Sequence, residues 1–243
     1  MIRKILVAGG ANGIGLAIAH ELALRETTEH VYIVDKVPLK ECYAHDKIEA
    51  FQFDLTNEDY SIFERFSDID ALMITAGFGK LSLFRDVPEQ YIIDSFNVNT
   101  IPVLRLIKLF YPKLEGCKDF YCGVMGSIAG WMSSPFLSVY GATKAALKIF
   151  IESINVELIK AGSPNVILNI SPGTIKGTCF YSGETNLELL HDLAQEIIHH
   201  LEAKDDVFIP KYEEVFKEVL ARYHEDFRKE GLHSYEYKKN SKR

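Results

Sequence analysis

The sequence has few cysteines and no long apolar run, and each shortage excludes a class of protein. The four cysteines of this 243-residue chain form no CxxC pair and no cysteine–histidine cluster, so neither a disulfide framework nor a metal site is predicted. Buried, reduced thiols are the simpler expectation for Cys42, Cys117, Cys122 and Cys179. No segment approaches the roughly 20 consecutive apolar residues that a membrane span requires, so no membrane association is predicted.

Positive charge is also scarce. Lys and Arg total 27 against 34 Asp and Glu, giving a net charge of −7, which argues against a nucleic-acid partner because such binding needs clustered basic residues. The basic tail at 238–243 is the exception, and a solvated chain end is its simplest interpretation. The apolar start of the chain runs into a glycine turn, which favours a buried strand over a signal peptide and predicts a cytoplasmic protein.

The chain does contain a regular alternation of two kinds of apolar segment. Short β-branched runs predict strands, and segments with helical periodicity lie between them. The predicted strands are 2–8, 31–35, 48–53, 71–75, 120–126, 166–170 and 207–209, and the predicted helices are 14–25, 60–66, 88–114, 140–160 and 187–201. This order predicts one domain over 1–243 with a doubly wound α/β (Rossmann) fold: a mostly parallel, seven-stranded sheet with helices on both faces.

A glycine-rich turn follows the first predicted strand and leads directly into a helix. Gly9, Asn12, Gly13, Ile14 and Gly15 occupy it. Glycines let a backbone approach a pyrophosphate closely, and the first N–H groups of the helix attract its negative charge. The alternative is a tight turn that binds nothing.

An acidic residue supports the dinucleotide interpretation. Asp35 closes the second strand about 20 residues after the turn, where a Rossmann carboxylate accepts hydrogen bonds from the ribose hydroxyls. A carboxylate there repels a 2′-phosphate, and the turn carries Asn12 rather than a basic residue. NAD is therefore predicted in preference to NADP, although Lys36 beside Asp35 weakens that preference.

Three residues suggest proton chemistry. Tyr140 and Lys144 are four residues apart in a predicted helix and so share one face, and Ser127 follows the strand at 120–126, at the carboxyl end where open α/β sheets bind ligands. The Lys144 charge is expected to lower the pKa of the Tyr140 phenol, making it a proton donor and acceptor. Taken singly, Tyr140 could be an ordinary helix residue and Ser127 an ordinary turn residue.

Together, the glycine turn, Ser127, Tyr140-x-x-x-Lys144 and Pro172-Gly173 resemble the short-chain dehydrogenases/reductases over residues 1 to about 178. The resemblance implies that Tyr140 is the acid/base, Lys144 binds the nicotinamide ribose and Ser127 stabilises the alkoxide. It also implies a catalytic asparagine, Asn99 in preference to Asn97, in a helix that Pro102 should kink. Implied cofactor contacts are Asp54, Leu55, Ala76, Gly77, Pro172, Gly173, Thr174, Ile175 and Thr178.

The chain departs from the family pattern in three places. Ile74 and Thr75 stand where an asparagine pair is usual, which puts a structural hydrogen bond in doubt. Thr178 lies one residue later than usual, so its contact to the cofactor could come from the backbone instead. The segment between Thr178 and the helix at 187 is short and the usual carboxyl-terminal motif is absent, which predicts an abbreviated substrate lid.

An apolar stripe with helical spacing runs from Tyr212 to Phe227 within an atypical helical extension at about 211–243. This stripe could pack on the core, or the extension could cover a substrate pocket or form a subunit interface. The pocket itself is predicted in the loops 78–84, 129–136 and 179–186. Their aromatic residues, Phe78, Phe84, Trp131, Phe136, Phe180 and Tyr181, would suit an apolar substrate.

These observations favour an NAD-dependent oxidoreductase that interconverts a small-molecule alcohol and carbonyl, as a homodimer or homotetramer. The substrate is not specified by these residues. A cofactor-binding regulator without catalysis is the alternative, since a fold does not guarantee a function. A nicotinamide-dependent epimerase is less favoured, because no sizeable second domain is predicted.

Overall fold

The fold is built on a wholly parallel sheet. The computed structural model describes residues 1–178, 180 and 183–240. Its strands are β1 (Lys4–Ala8), β2 (His30–Asp35), β3 (Ile48–Gln52), β4 (Ala71–Ile74), β5 (Tyr121–Met125), β6 (Ile167–Ile170) and β7 (Val207–Phe208), paired in the order β3-β2-β1-β4-β5-β6-β7. The seven-stranded doubly wound sheet is thus confirmed.

The strand order reverses between β1 and β4. Ala8 pairs with Val34 of β2 on one side and with Ile74 of β4 on the other, so the chain leaves β1 in opposite directions to reach its two neighbours. The connections diverge at the carboxyl ends of these strands and leave a crevice, which is where open α/β sheets bind ligands.

Seven α-helices are described: α1 (Gly13–Ala23), α2 (Glu89–Asn99), α3 (Ile101–Glu115), α4 (Ser138–Ala161), α5 (Leu187–Ala203), α6 (Lys217–Glu225) and α7 (Phe227–Asn240). Helices α1 and α5 pack on one face of the sheet through residues such as Leu16 and Ile197. Helices α3 and α4 cover the other through Leu106 and Leu147. These side chains are fully buried, which removes apolar surface from water on both faces.

The segment predicted as one helix at 88–114 forms two. Helix α2 ends at Asn99, Thr100 leaves ideal helical geometry (φ −119°, ψ −60°), and α3 begins at Ile101 with Pro102 in its first turn. Proline has no N–H to continue the hydrogen-bond ladder of a preceding helix, so the break falls where Pro102 predicts it. The segment at 60–66 also differs from expectation, because Ser61–Phe66 is a 3₁₀ helix.

The apolar stripe beyond 211 is divided. A π-helical turn (Tyr212–Phe216) leads into α6, and α7 follows after a break at Asp226. The Asp226 carboxylate accepts hydrogen bonds from the backbone N–H groups of Arg228 (3.0 Å) and Lys229 (3.1 Å), so this residue caps α7 and ends the helical run early. We refer to α6 and α7 as the C-terminal helices.

The cysteines are less uniform than predicted. Cys122 is buried in β5, and burial raises the pKa of its thiol, but Cys42 and Cys117 are exposed because they lie in surface connections. Cys179 lies outside the described residues. Among the described helices, none combines the length and apolarity needed to cross a membrane.

Candidate active site

The glycine turn between β1 and α1 is packed too closely for side chains. Gly9 has φ +89°, and a Cβ there would collide with the backbone nitrogen of Ala76. Gly15 is enclosed by the Thr75 hydroxyl and the Gly9 carbonyl. At Gly13, by contrast, an added Cβ would have the Cβ of Thr178 as its nearest neighbour, at an ordinary contact distance of 3.9 Å. The turn therefore closes against β4, while Gly13 at the start of α1 lines the cavity.

Asp35 stands at the end of β2 beside this turn. Its Oδ2 accepts a hydrogen bond from the Ala11 N–H (3.0 Å) and its Oδ1 accepts one from the Val37 N–H (3.2 Å). An ionised carboxylate offers about four lone-pair positions, so both oxygens keep capacity for a further donor. Lys36 also lines the crevice, beside this carboxylate.

The next part of the crevice comes from the ends of β3 and β4. Asp54 accepts hydrogen bonds from the N–H (2.9 Å) and hydroxyl (2.8 Å) of Thr56, and these bonds lower the pKa of its carboxyl group. Leu55, Ala76 and Gly77 line the same space.

Thr75, which stands where an asparagine is usual in the family, makes a structural hydrogen bond through its hydroxyl. Its hydroxyl lies 2.9 Å from the Gly9 carbonyl and 3.3 Å from the Ala8 carbonyl, both of which can accept its proton. The hydroxyl thereby connects the end of β4 to the glycine turn.

Ser127 and Tyr140 meet at the end of β5. Ser127 follows β5 and is the N-cap of a short 3₁₀ helix, with its Oγ accepting a hydrogen bond from the Ala129 N–H (3.2 Å). Tyr140 lies in the first turn of α4. Burial raises the pKa of the phenol, and the nearby Ser127 hydroxyl lowers it by less.

The lysine of the motif is almost fully buried. Lys144 is 3% exposed, its Nζ donates to the Met125 carbonyl (2.8 Å), and it lies 5.7 Å from the centroid of the Tyr140 ring. Burial lowers the pKa of this ammonium to about 8. The expectation that Lys144 lowers the pKa of Tyr140 is not met, because desolvation of the phenol outweighs the favourable interactions and the net shift is upward.

Asn99 occupies the break between α2 and α3 and is completely buried. Its Oδ1 accepts from the Phe78 N–H (2.9 Å), while its Nδ2 donates to the Phe78 carbonyl (2.8 Å) and the Thr143 hydroxyl (3.2 Å). A Cβ on Gly77 would lie 3.2 Å from Asn99 Oδ1 and 3.4 Å from Lys144 Nζ, so Gly77 separates these two side chains. Asn97, the other candidate, is exposed.

The loop after β6 forms the opposite wall of the crevice. The Pro172 carbonyl accepts a hydrogen bond from the Ile128 N–H (3.0 Å), which holds this loop to the Ser127 turn. Thr178 is buried, and its hydroxyl donates to the Ile175 carbonyl (2.9 Å). Pro172, Gly173, Thr174, Ile175 and Thr178 all line the crevice.

These residues surround one cavity of about 830 Å³. Every residue predicted to bind the cofactor lines it: Gly9, Asn12, Gly13, Ile14, Gly15, Asp35, Asp54, Leu55, Ala76, Gly77, Tyr140, Lys144, Pro172, Gly173, Thr174, Ile175 and Thr178. Ser127 lines it too, whereas Asn99 lies behind the wall. The volume is in the range of ligand-binding pockets.

The C-terminal helices close one end of this cavity. Val215, Phe216 and Val219 line it from the π-helical turn and α6. Glu230, His233, Ser234, Tyr237 and Lys238 line it from α7. The Phe216 ring packs against the loop after β6, since a Cβ on Gly173 would stand 2.7 Å from its Cζ. The sequence left open whether this extension packs on the core, covers a pocket or forms an interface. In the structure it covers the cavity, and its Leu220 also packs against Ile128 and Ile209.

The predicted substrate loops contribute less uniformly. Phe78 and Phe180 line the cavity, and the Phe180 ring lies 5.4 Å from that of Tyr140. Phe84 is 65% exposed and points elsewhere, while Phe136 stacks on Tyr235 of α7 instead. The Trp131 indole N–H donates to the Ser171 hydroxyl (2.9 Å) rather than facing the cavity. Tyr181 lies outside the described residues.

Three contributors were not predicted. Thr185 Oγ accepts a hydrogen bond from the Gly13 N–H (2.7 Å), and Thr143 joins Asn99 to α4. Lys238 departs from the predicted solvated tail, because α7 carries this residue back over the cavity, where burial lowers the pKa of its ammonium to about 8. Lys239 and Asn240 are exposed as predicted, and 241–243 lie outside the described residues. No local motif marks the three contributors, since each acts across a long sequence separation.

The doubly wound sheet, the glycine turn at β1 and the carboxylate at the end of β2 define a dinucleotide-binding protein. The chain belongs to the short-chain dehydrogenase/reductase family, whose model, described as short chain dehydrogenase, matches residues 3–186. It is thus an NAD(P)-dependent oxidoreductase of that family.

Characterised and uncharacterised relatives both match. An uncharacterized oxidoreductase of Schizosaccharomyces pombe is 27% identical over 187 residues, covering 70% of this chain and 72% of the relative. Human 17-beta-hydroxysteroid dehydrogenase type 1 is 26% identical over 184 residues, covering 69% of this chain and 56% of the human enzyme.

Solved structures share the fold at low sequence identity. A Burkholderia phymatum short-chain dehydrogenase/reductase in complex with NAD has a TM-score of 0.78 at 17% identity, covering 93% of this chain and 94% of that one. The protein ElxO with NADP bound has a TM-score of 0.71 at 20% identity, covering 87% and 99%. The family's fold therefore accompanies either dinucleotide.

Proposed function

We propose that this protein interconverts an alcohol and a carbonyl with NAD(H), using Tyr140 as the proton donor and acceptor. The observation that carries the proposal is that Ser127, Tyr140 and Lys144 line the same cavity as the glycine turn and Asp35. A nicotinamide bound there supplies the hydride. The remaining requirement is a proton partner for the substrate oxygen.

Each side chain has a separate task in this proposal. The Tyr140 phenol, which burial keeps protonated at neutral pH, donates its proton to a carbonyl oxygen, and Ser127 holds that oxygen with a second hydrogen bond. Lys144 is fixed by the Met125 carbonyl and supplies a positive charge beside the phenol. Asn99 is a positioning residue, because its side chain hydrogen-bonds to the Phe78 backbone and to the Thr143 hydroxyl and so fixes the part of the cavity wall next to Gly77.

The cavity fits a dinucleotide. The cavity reaches Gly13 and Ile14 at the start of α1, where a phosphate of the dinucleotide would lie, and Asp35 retains acceptor capacity for ribose hydroxyls. The Asp35 charge favours NAD over NADP, because it would repel a 2′-phosphate. Lys36 beside it opposes this preference without removing the carboxylate.

The test is Tyr140→Phe, which removes the phenolic hydroxyl and keeps the ring. We expect kcat for a ketone panel with NADH to fall about 10²–10⁴-fold, because general acid catalysis contributes on that order. NADH affinity, measured by the fluorescence of the bound dinucleotide, should stay near that of the wild type. Undiminished turnover in Tyr140→Phe would remove Tyr140 from the reaction.

A homo-oligomer is part of the proposal. Helix α4 exposes three large apolar side chains, Ile149 (59%), Val156 (66%) and Ile159 (65%), and such a stripe supports burial against a second copy. Light scattering of the purified protein should give at least twice the monomer mass of 27.6 kDa. A monomeric mass at micromolar concentration would contradict this part.

A further inference from the structure

Helix α7 docks on the loop that precedes Tyr140 through one face. Tyr235 stacks on Phe136 with ring centroids 4.8 Å apart, and Lys238 Nζ donates to the Ser134 hydroxyl (2.6 Å) and the Pro135 carbonyl (3.0 Å). Tyr235 and Lys238 lie three residues apart on α7, so their side chains share one face of the helix. The contacts fix the position of Lys238 at the edge of the cavity.

Lys238 has donor capacity left over. An ammonium group has three N–H donors, and the contacts to Ser134 and Pro135 use two of them. Among the described residues, no carboxylate lies within salt-bridge distance of its Nζ. The charge is held by neutral oxygen atoms alone, in a partly buried position that weakens its hydration.

The other charged groups around the cavity are already engaged or lie at its other end. Glu230 on the same helix is paired with Arg222 (2.8 Å), and His233 lies 3.8 Å from Glu230. Asp35 and Asp54 belong to the ends of β2 and β3. Within the described part of the chain, Lys238 is therefore a cation without an internal counter-charge, distinct from Lys144, whose Nζ donates to the Met125 carbonyl.

Lys238 and Tyr140 line one cavity whose surface is mainly apolar. Met132, Leu137, Phe180, Val215 and Val219 line the same cavity. A ligand that follows this wall needs an apolar body, and a ligand that reaches Lys238 gains from a negative charge.

We propose that Lys238 recognises a carboxylate of the substrate, so that the alcohol or ketone handled by this protein carries that acid at the far end of an apolar body. A single ammonium with one free donor matches a monoanion better than a phosphate, which favours several donors or a bidentate arginine. This assignment of a substrate class rests on the proposed reaction at Tyr140.

The first experiment compares a series of methyl-ketone carboxylic acids of increasing chain length with their uncharged methyl esters. The wild type should prefer the acid of the best-fitting length by about tenfold or more in kcat/KM, as a charge-assisted hydrogen bond implies. Lys238→Gln keeps a donor for Ser134 but removes the charge. It should abolish the acid preference, chiefly through KM, and Lys238→Arg should restore part of it.

Lys239→Met is the matched control. Lys239 is the next residue on α7, is exposed and does not line the cavity, so its removal changes net charge equally. The acid preference should persist in this control. An unchanged acid-to-ester ratio in Lys238→Gln, or an equal loss in Lys239→Met, would overturn the role of Lys238.

A second measurement needs no turnover. Trp131, the chain's single tryptophan, packs against the same cluster around Leu220 as the cavity-lining residues Met132 and Phe216. Titration of the protein in the presence of NADH with octanoate should shift the tryptophan emission saturably, whereas octanol should bind more weakly. Octanoate affinity should fall about tenfold in Lys238→Gln and remain unchanged in Tyr140→Phe.

The two proposals can fail separately. Octanoate binding that depends on Lys238, without turnover of any ketone, would remove the reaction and keep the anion site. Turnover that depends on Tyr140, without any preference for acids, would keep the reaction and remove the anion site. Equal affinity for octanoate and octanol would also count against Lys238.

Discussion

The two ends of the cavity are built by different means. At the end that we propose binds the dinucleotide, called the nucleotide end below, backbone atoms meet so closely that only glycine fits, as at Gly9 against Ala76. At the other end, side chains of the C-terminal helices dock on loops through an aromatic stack, a phenylalanine over Gly173 and a lysine on Ser134. The first end depends on steric exclusion between neighbouring strands, and the second on contacts between segments distant in the chain, up to 104 residues apart.

This difference affects how much sequence change each end of the cavity can tolerate. A backbone cradle that holds a phosphate permits few alternatives, because a side chain there would fill the space or force the strands apart. A helix docked by side chains can be exchanged for another lid without disturbing the sheet. The glycine turn lies within the residues that the family model matches, 3–186, whereas the C-terminal helices lie beyond them.

The largest expected effect comes from breaking the nucleotide end with Gly9→Val. The new side chain would collide with the Ala76 backbone and require φ near +89°, so β1 and β4 would have to separate. We expect the folded protein to lose NADH affinity by about a hundredfold or more, or to fail to fold. The readouts are NADH fluorescence titration and circular dichroism.

Gly162→Ala is the control for backbone strain alone. Gly162 also has positive φ (+75°) at the end of α4, but nothing lies within 4 Å of an added Cβ. It should cost only about 1–2 kcal/mol of stability, with unchanged NADH affinity. If both variants behaved alike, strain rather than close packing would explain the nucleotide end.

A smaller effect is expected from Asp35→Asn, which removes the charge and keeps an oxygen for the Ala11 N–H. The kcat/KM for NAD should fall about tenfold to a hundredfold through lost ribose hydrogen bonds, while that for NADP should rise because the repulsion is gone. Steady-state kinetics with both dinucleotides measure the ratio. An unaltered ratio would contradict the proposed choice of NAD.

The smallest effect is expected at the C-terminal helices with Phe216→Ala. Phe216 is partly buried against Gly173 and the cluster around Leu220, so its truncation should cost about 1–3 kcal/mol and raise the substrate KM a few-fold. NADH affinity should change less. The free energy of unfolding in urea and the KM of the preferred ketone are the measurements.

Tyr212→Ala provides the comparison in the same π-helical turn. Tyr212 is 40% exposed and does not line the cavity. Its removal should leave KM near the wild-type value. A Phe216→Ala variant with the same KM as Tyr212→Ala would show that the extension packs on the core without shaping the substrate end.

Much of the nucleotide end could be predicted because its geometry is local. The spacing from Gly9 to Gly15 predicts a turn between a strand and a helix. Asp35 ends the next strand along the chain, which in this doubly wound sheet lies beside the first. Pro102 similarly predicted the break after Asn99, since a missing N–H acts within one helical turn. Roles for these residues remain predictions, although their common cavity agrees with them.

The errors have equally physical reasons. Asp226 divided the apolar stripe, because its side chain competes for the backbone donors of the next turn. Cys42 and Cys117 proved exposed, since composition does not fix which connection reaches the surface. The pKa of Tyr140 rises because burial of the phenol exceeds the effect of its neighbours, and burial is a property of packing.

The sequence by itself determined the alternation of strands and helices, the glycine turn, the order of Ser127, Tyr140 and Lys144, and hence the family. These features depend on periodicity, backbone sterics and short spacings, which act between residues near in the chain. Only the tertiary structure decided that Lys238 lies beside the cavity rather than in solvent. That placement depends on how α7 docks more than 100 residues from Ser134, and no local interaction specifies it.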